Sequence, residues 1–183
     1  LVIGAGAAGL MAAATAGYRG KSVLVVDKNK KAGAKILISG GGRCNFTNIN
    51  ADARKHYLSE NPHFAISAMK RYPAERFIEM VERHGIEYYE KTLGQLFCKH
   101  SSKEIVKMLL EECDWAEAKI NLACETKAVR QVEGGFEIET EQGNFQAKSV
   151  IVATGGPSLP KLGASHFALK ILEKNPQPSI IYV

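Results

Sequence analysis

Residues 1–27 read LVIGAGAAGLMAAATAGYRGKSVLVVD, and this stretch decides the fold. A short apolar run is followed by Gly4, Gly6 and Gly9, which give the spacing G-x-G-x-x-G of a dinucleotide-binding βαβ unit. In such a turn the first glycine permits a tight bend, the second lets backbone approach a pyrophosphate, and the third lets helix and strand pack closely. The stretch therefore predicts a strand, a phosphate-binding turn and a helix.

The end of the second predicted strand supports this interpretation. Val23–Val26 is an apolar run, and Asp27 closes it eighteen positions after Gly9. A carboxylate at about this spacing accepts hydrogen bonds from the hydroxyls of an adenosine ribose. Because an acid also repels a 2′-phosphate, Asp27 favours FAD or NAD over NADP. A glycine-rich turn that binds nothing is the alternative that the pattern leaves open.

Length and composition bound the class of protein. The chain has 183 residues, of which 45% are hydrophobic and 23% charged, as is ordinary for a globular domain with a buried core. No apolar run reaches the roughly eighteen residues of a transmembrane helix, and the first residues lack the basic flank of a signal peptide. We therefore expect a cytoplasmic protein with no membrane partner.

Charge and cysteine content refine this expectation. The net charge is +5, and the densest basic cluster lies beside the predicted phosphate site, at Lys28, Lys30, Lys31 and Lys35. A nucleotide's phosphates would explain that cluster. The four cysteines form no C-x-x-C pair and show no zinc-ligand spacing, so we expect free thiols and no metal site.

A second glycine cluster occurs in residues 39–48, which read SGGGRCNFTN. Three consecutive glycines followed by Arg43, Cys44 and Asn45 favour a ligand-contacting loop, whose successive N–H groups can bind an anion. A flexible linker is the alternative. Cys44 can be interpreted as a redox thiol, but no second cysteine lies four or five residues away, which favours a small packed residue.

The second half of the chain predicts a meander and then a return to the central sheet. Short segments separated by turn residues predict an antiparallel meander; they are residues 118–124, 129–132, 136–140 and 145–147. Val150–Val152 is a buried-type strand, followed by ATGG at 153–156. Such small residues let backbone approach a cofactor, and this strand would lie beside the first turn.

Taken together, these motifs resemble a known family. The fingerprint of residues 4–13 and Asp27 match the FAD form found in glutathione-reductase-like flavoproteins with two dinucleotide-binding domains, and residues 150–155 resemble their second FAD motif. The loop KILISGGGRCNFTN of residues 35–48, with GGPSLP at 155–160, is more specifically similar to the bacterial BaiN-like NAD(P)/FAD-dependent oxidoreductases. That family includes aminoacetone oxidases and reductases of enone bile-acid intermediates.

The resemblance implies an FAD site spread along the chain. It places the pyrophosphate at the first glycine turn, the ribose at Asp27, and the phosphates and flavin side at the loop that begins with Lys35. A backbone group near Ala128 or Val129 would meet the adenine. The implied cofactor-binding residues are Gly4, Gly6, Ala7, Ala8, Gly9, Asp27, Lys28, Lys35, Gly41, Gly42, Arg43, Cys44, Asn45, Ala128, Val129, Thr154, Gly155 and Gly156. No catalytic acid or base is assigned.

The expected fold class is α/β, a Rossmann-like FAD-binding domain with a parallel sheet and a β-meander. We expect residues 1–172 to form the N-terminal part of this domain and residues 173–183 to lead toward a second domain. Members of the family are longer and carry an inserted domain after such a segment. The chain is therefore expected to be a fragment, which by itself is an incomplete and inactive part of the enzyme.

The expected function is that of an FAD-dependent oxidoreductase, which transfers hydride between NAD(P)H and a small organic substrate. We expect no nucleic acid partner, and the sequence leaves the oligomeric state unknown. Two alternatives stay open. An FAD-dependent RNA-modifying protein would bind RNA in a salt-sensitive way, whereas a non-catalytic nucleotide-binding module would be colourless and would not take up FAD.

Overall fold

The computed structural model describes residues 1–57, 60–156 and 180–182. The chain divides into two compact units, Leu1–Lys35 with Leu109–Val183 and Ile36–Met108, called here the first and the second unit. The expected boundary between residues 172 and 173 lies outside the described residues and stays a prediction. Among the described helices, none is long and apolar enough to cross a membrane.

The first unit is built on a five-stranded parallel sheet with the order β11-β10-β1-β2-β6. Its strands are β1 Val2–Ile3, β2 Leu24–Val26, β6 Lys119–Asn121, β10 Val150–Val152 and β11 Ile180–Tyr182. Val2 of β1 lies opposite Ile151 of β10 and Val25 of β2. The expected return of the chain to a strand beside the first dinucleotide turn is therefore confirmed.

Helix α1, Ala7–Tyr18, packs on this sheet, and an antiparallel meander packs on it as well. Leu10 and Ala13 of α1 are fully buried. The meander consists of β7 Thr126–Val132, β8 Gly135–Thr140 and β9 Gly143–Ala147. One buried cluster joins the meander to the parallel sheet; its members are Ile3, Val26, Cys124, Val129, Phe136, Ile138, Val150 and Val152. Successive strand residues point to opposite faces of a sheet, so the two residues of β1 can pack against α1 on one face and against the meander on the other.

The prediction that residues 118–124 belong to the meander is wrong. Strand β6 pairs in parallel with β2, with Ile120 opposite Val25, and forms the edge of the parallel sheet. An edge strand is solvated on one side, so it shows the same alternation of apolar and polar residues as an antiparallel strand. The alternation by itself therefore cannot distinguish the two placements.

The second unit contains a three-stranded antiparallel sheet with the order β3-β5-β4. The strands are β3 Asn45–Asn48, β4 Tyr88–Glu90 and β5 Gln95–Cys98, and the helices of this unit are α3 Ile66–Arg71 and α4 Ala74–Arg83. Helices α2 Ala34–Ile38 and α5 Lys103–Trp115 each begin in one unit and end in the other. The segment of residues 35–48, interpreted from sequence as a loop, therefore contains most of helix α2 and the strand β3.

Candidate cofactor site

The carboxyl ends of β1 and β10 meet at Gly4. The φ of Gly4 is +112°, in the left-handed region that favours glycine. A Cβ built on Gly4 would lie 2.3 Å from the carbonyl oxygen of Ala153. The Gly4 N–H also donates to the Val26 carbonyl at 2.8 Å, which ties the turn to β2. The first glycine of the fingerprint is thus required by backbone contacts within the protein itself.

Gly9 brings helix α1 directly onto this turn. A Cβ built on Gly9 would lie 1.8 Å from the carbonyl oxygen of Gly4, a distance that no side chain can occupy. The same atom would lie 3.4 Å from the Cβ of Ala153. The close packing of helix and strand that the fingerprint predicts for its third glycine is therefore present in the backbone.

The N-terminus of α1 opens onto free space at Gly6. Gly6 is the N-cap residue, its φ is −85°, and no side chain caps the helix. Among the described residues, no atom lies within 4 Å of a Cβ built there. Ala7 and Ala8 begin the helix, and its first turn contains no acidic residue. Because initial N–H groups lack intrahelical acceptors and carry the positive end of the helix dipole, this space is suited to an anion.

The carboxylate of Asp27 is held against the same turn. Its Oδ2 accepts a hydrogen bond from the Ala5 N–H at 2.6 Å. Its Oδ1 accepts from the backbone N–H and the side-chain amide of Asn29, at 2.7 and 2.9 Å. Each carboxyl oxygen can accept a further hydrogen bond, and Asp27 is only half-buried. The carboxylate is therefore oriented and still able to accept a hydroxyl group.

Two residues that orient Asp27 are missed by the sequence analysis. Ala5 contributes only its backbone N–H, and the type of residue does not indicate a contact of this kind. Asn29 follows Asp27 by two positions. Asp side chains often accept a hydrogen bond from the backbone N–H two residues later in the chain. This preference is the sequence signal that would have indicated Asn29.

The residues after β10 meet the side chain of Lys35. The Lys35 Nζ donates to the Gly156 carbonyl at 3.2 Å, and it lies 3.3 Å from the position of a Cβ built on Gly155. The Thr154 Oγ1 is buried and finds no hydrogen-bond partner among the described residues. A buried polar group left unpaired costs about 1–3 kcal/mol. Thr154 is therefore a group that a bound molecule would satisfy.

Three predicted residues of the first unit have weaker structural support. Lys28 follows Asp27 and its side chain is exposed. Val129 is buried in the core under the meander, so that its side chain is not offered to a ligand. Ala128 is half-buried where the pairing of β7 with β8 shifts in register after Thr126. The predicted contact with adenine through the backbone of β7 stays a prediction.

The second glycine cluster belongs to the second unit and forms an ordered turn. Residues Ser39–Gly42 form a turn whose three glycines have left-handed φ values of 56°, 67° and 83°. The Cys44 N–H donates to the Ser39 carbonyl at 3.1 Å, and the Ser102 N–H donates to the Gly42 carbonyl at 2.8 Å. Bonds on both sides of the glycines favour a shaped loop over a flexible linker.

The residues after these glycines point in different directions. The Arg43 guanidinium donates to the Tyr89 hydroxyl at 3.3 Å, and Asn45 is exposed at the start of β3. The Cys44 thiol is buried, and burial raises its pKa although a hydrogen bond with the Ser39 side chain acts against this. A thiol that stays protonated is a poor nucleophile, which favours the packing interpretation of Cys44 over the redox interpretation.

The predicted site residues therefore fall into two groups that belong to different units. The first unit holds Gly4, Gly6, Ala7, Ala8, Gly9, Asp27, Lys28, Lys35, Ala128, Val129, Thr154, Gly155 and Gly156. The second unit holds Gly41, Gly42, Arg43, Cys44 and Asn45. In the described part of the chain, no cluster of three or more His, Cys, Asp or Glu residues can hold a metal ion.

FAD is compatible with the first group. The open N-terminus of α1 suits its pyrophosphate, and the oriented carboxylate of Asp27 suits a ribose. The Thr154 hydroxyl, which has no partner among the described residues, and the nearby ammonium of Lys35 add a polar group and a positive charge. The residues present thus fit a dinucleotide that carries a diphosphate.

Comparison with known proteins gives several relatives. Residues 1–180 match the family model described as HI0933-like protein Rossmann domain. The chain is 47% identical over 174 residues to the "Ribosomal RNA dihydrouridine synthase" of Escherichia coli (strain K12), and 49% identical over 178 residues to the protein of that name from Haemophilus influenzae. It is 30% identical over 167 residues to the "3-dehydro-bile acid delta(4,6)-reductase" of Clostridium scindens.

The chain spans less than half the length of these relatives. The alignments cover 95%, 95% and 89% of this chain but 43%, 44% and 40% of the respective relatives. Among solved structures, THI4 of Thermovibrio ammonificans superposes with a TM-score of 0.57 at 17% identity, over 96% of this chain and 61% of that one. This likeness shows the fold alone, and with the family match it confirms the α/β Rossmann-like prediction.

The expectation that excluded a nucleic acid partner is wrong. It is overturned by the two relatives that share nearly half of their aligned residues with this chain and are named for ribosomal RNA. RNA is commonly contacted by dispersed basic and aromatic side chains with no fixed spacing, so an RNA partner need not be indicated by a local sequence motif. A net charge of +5 spread along the chain does not by itself predict an RNA partner.

Proposed function

Because this chain belongs to the HI0933-like protein Rossmann domain family, we propose that it is the FAD-binding part of an enzyme that reduces uridine in ribosomal RNA to dihydrouridine. The observation that carries the proposal is the 47% and 49% identity, over 95% of the chain, with two proteins of that name. NAD(P)H as electron donor and a cytoplasmic location belong to the same proposal. The activity is assigned to the full-length protein, since this chain spans less than half of those relatives.

The residues of the first unit have separate tasks in this proposal. The N–H groups at the start of α1 bind the pyrophosphate in the open space beside Gly6. Asp27, oriented by Ala5 and Asn29, accepts hydrogen bonds from the adenosine ribose. The Thr154 hydroxyl, unpaired among the described residues, bonds to the bound cofactor.

FAD, when bound, supplies the hydride chemistry, and the protein supplies binding, orientation and charge. The turn at Gly4 fixes the end of β1 against Ala153, so the groups that bind the cofactor lie on rigid strand ends. Lys35 places a positive charge beside Gly155 and Gly156, where it favours an anionic group of the cofactor. No residue of this chain is assigned as the proton donor to the uracil ring.

A second candidate is the reduction of a small conjugated ketone. It is supported by the 30% identity with the bile-acid reductase of Clostridium scindens. The overall change is chemically similar, because in both cases two hydrogens are added across a carbon–carbon double bond next to a carbonyl group. The lower identity makes it the weaker candidate. The non-catalytic module is weaker still, since the shaped turn and the oriented carboxylate are both present.

The proposed function is tested in a strain that lacks the full-length gene. Ribosomal RNA from that strain is digested to nucleosides, and dihydrouridine is quantified by mass spectrometry. We expect dihydrouridine to be lost and to return with the wild-type protein or with Asp114→Asn, an exposed acid of α5. The Gly6→Val variant, whose branched side chain would fill the space beside the turn, should not restore it. Unchanged dihydrouridine in the deletion strain would contradict the RNA substrate.

A further inference from the structure

The three-stranded sheet of the second unit has two different faces. On one face Phe46 of β3 lies 5.6 Å from Tyr88 and 6.0 Å from Phe77 of α4, measured between ring centroids. On the other face Tyr89 stacks on Phe97 at 6.0 Å with 27° between the ring planes. The first face therefore packs against α4, and the second carries a stacked aromatic pair.

Cations flank the aromatic pair on this second face. The Lys91 Nζ lies 5.3 Å from the centroid of the Phe97 ring, and the Arg43 guanidinium donates to the Tyr89 hydroxyl. Phe97 itself is buried, whereas Tyr89 is partly exposed and Arg43 and Lys91 are exposed. The accessible surface thus combines one aromatic ring with two positive charges.

A groove of about 610 Å³ runs along this surface, and it is lined by Arg43, Ile86, Glu87, Tyr88, Tyr89 and Lys99. Lys99 donates to Glu87 at 2.6 Å, and these side chains are 58% and 61% exposed, so the pair is open to a ligand. Hydrogen bonds from Lys99 and His100 hold the pKa of Glu87 below its ordinary value. Glu87 therefore offers an ionised, purely accepting carboxylate.

These groups complement one unpaired nucleotide. An exposed aromatic ring stacks on the face of a base, and Arg or Lys side chains bind phosphate. Uracil has an N–H donor next to carbonyl acceptors, which matches the carboxylate of Glu87 beside the N–H donors of Arg43. The Lys99 ammonium is suited to the phosphate of the same nucleotide. A purely apolar partner would remove water from these charged groups without offering them hydrogen bonds.

We propose that the groove lined by Arg43, Glu87, Tyr89 and Lys99 binds an unpaired nucleotide of the RNA, with the base stacked on Tyr89. The RNA identity of the ligand rests on the proposed function. The groove contributes to RNA binding and is distinct in residue composition from the cofactor-binding turn of the first unit. Arg43, implied by family resemblance as a cofactor contact, contributes to this groove through the bond to Tyr89.

Binding of a fluorescently labelled single-stranded oligouridine of about ten nucleotides to the full-length protein tests the groove. Fluorescence anisotropy at two salt concentrations gives the affinity and its salt dependence. We expect Tyr89→Ala to weaken binding about tenfold, because stacking is lost, and Tyr89→Phe to bind nearly as wild type. Lys99→Ala should weaken binding and lower the salt slope by about one. Tyr57→Ala and Lys148→Ala, exposed residues outside the groove, should change neither value.

Two further measurements separate the possible failures. Bound FAD, measured by its absorbance, should be the same in all variants, and dihydrouridine in ribosomal RNA reports the proposed function. If wild-type protein forms dihydrouridine and both Tyr89→Ala and Lys99→Ala bind oligouridine normally, the groove proposal is overturned and the function stands. If wild-type protein forms no dihydrouridine but the groove variants still lose oligouridine, the function fails and the groove stands. Should Tyr89→Ala fail to fold, Lys99→Ala and its salt slope decide.

Discussion

The two glycine clusters of this protein use glycine for different physical reasons. In the first unit, Cβ atoms built on Gly4 and Gly9 would lie 2.3 and 1.8 Å from backbone carbonyl oxygens. In the second unit, Gly41 and Gly42 have left-handed φ values of 67° and 83°, but no atom of the described residues lies within 4 Å of their built Cβ atoms. Gly4 and Gly9 are thus limited by contact with backbone, whereas Gly41 and Gly42 are limited by backbone conformation.

This difference separates two kinds of tolerance to substitution. A clash with backbone cannot be relieved by a side-chain rotation, so the sheet and helix must move apart. A left-handed residue that bears a side chain keeps its neighbours in place and costs roughly 1–2 kcal/mol. Glycine-rich sequence alone predicts both clusters as ligand loops, and only the distances show which of their glycines are also packing contacts.

The largest effect is expected for Gly9→Ala. The new methyl group would overlap the Gly4 carbonyl, so the free energy of unfolding of the full-length apoprotein should fall by about 3 kcal/mol or more, as for severe overpacking. Urea denaturation measures this change. The matched control is Gly6→Ala, which has open space and an ordinary φ of −85°. Its unfolding free energy should change by less than about 1 kcal/mol, and equal losses in both variants would refute the contact argument.

The next effect concerns the carboxylate that is oriented toward the first turn. Asp27→Ala should weaken FAD binding by about 1–3 kcal/mol, since ribose hydroxyls lose their acceptor. Titration of the apoprotein with FAD, followed by flavin fluorescence, gives the affinity. Asp114→Ala, at an exposed position of α5, is the control and should bind FAD as wild type does. An unchanged affinity for Asp27→Ala would show that the ribose assignment is wrong.

A smaller effect is expected in the second cluster. Gly41→Ala should lower the unfolding free energy by roughly 1–2 kcal/mol through backbone strain alone. Gly134, in the β7–β8 turn, has a similar φ of +79° and equally open surroundings. Gly134→Ala should therefore cost the same, as measured by urea denaturation. An additional loss of FAD affinity in Gly41→Ala, absent in Gly134→Ala, would support the predicted cofactor contact of this loop.

The smallest effect at neutral pH is expected for the buried thiol of the first unit. Burial raises the pKa of Cys113 from 9.0 to about 11, and its Sγ donates to the Leu10 carbonyl at 3.3 Å. A folded-state pKa above the unfolded value gives stability that is complete below pH about 9 and is lost as pH rises toward about 11. The melting temperature should therefore decrease as the pH is raised between these values, and it should decrease less in Cys113→Ser. Identical pH profiles would contradict this role.

Cys98 of the second unit offers the corresponding test of burial. Its pKa is raised to about 12, mainly because the thiol is buried. In the folded protein at about pH 8, iodoacetamide should therefore leave Cys98 unmodified, whereas urea should expose it to alkylation. Peptide mass spectrometry reads the result. Rapid alkylation of Cys98 without urea would show that this part of the second unit opens readily.

The local patterns were sufficient for the dinucleotide unit but not for every strand. The spacing of Gly4, Gly6, Gly9 and Asp27 predicts the βαβ turn, because each of these residues meets a requirement within its own segment. The alternation in residues 118–124 did not reveal that β6 pairs with β2, since strand pairing depends on partners about ninety-five residues away in the chain. Pairing of this kind is decided by the whole sheet.

The groove in the second unit shows the same limit for function. Arg43 and Tyr89 are 46 residues apart, and neither has a spacing or neighbour that predicts their hydrogen bond. The burial of the Thr154 hydroxyl, which has no partner in the described part of the chain, was likewise not visible in the motif ATGG. The sequence placed Thr154 correctly after a central strand, but its burial depends on the packing of segments that are distant in the chain.

By itself the amino-acid sequence determined the strand–turn–helix that begins the chain, the acid that follows the second strand, and the resemblance to FAD-dependent oxidoreductases. These features depend on residues that are close in the chain, where spacing translates directly into geometry. Only the tertiary structure decided that Gly9 contacts the Gly4 carbonyl, that β6 forms an edge strand of the parallel sheet, and that Arg43 donates a hydrogen bond to Tyr89. Contacts between distant segments are selected by the packing of the whole unit, and no local pattern records that selection.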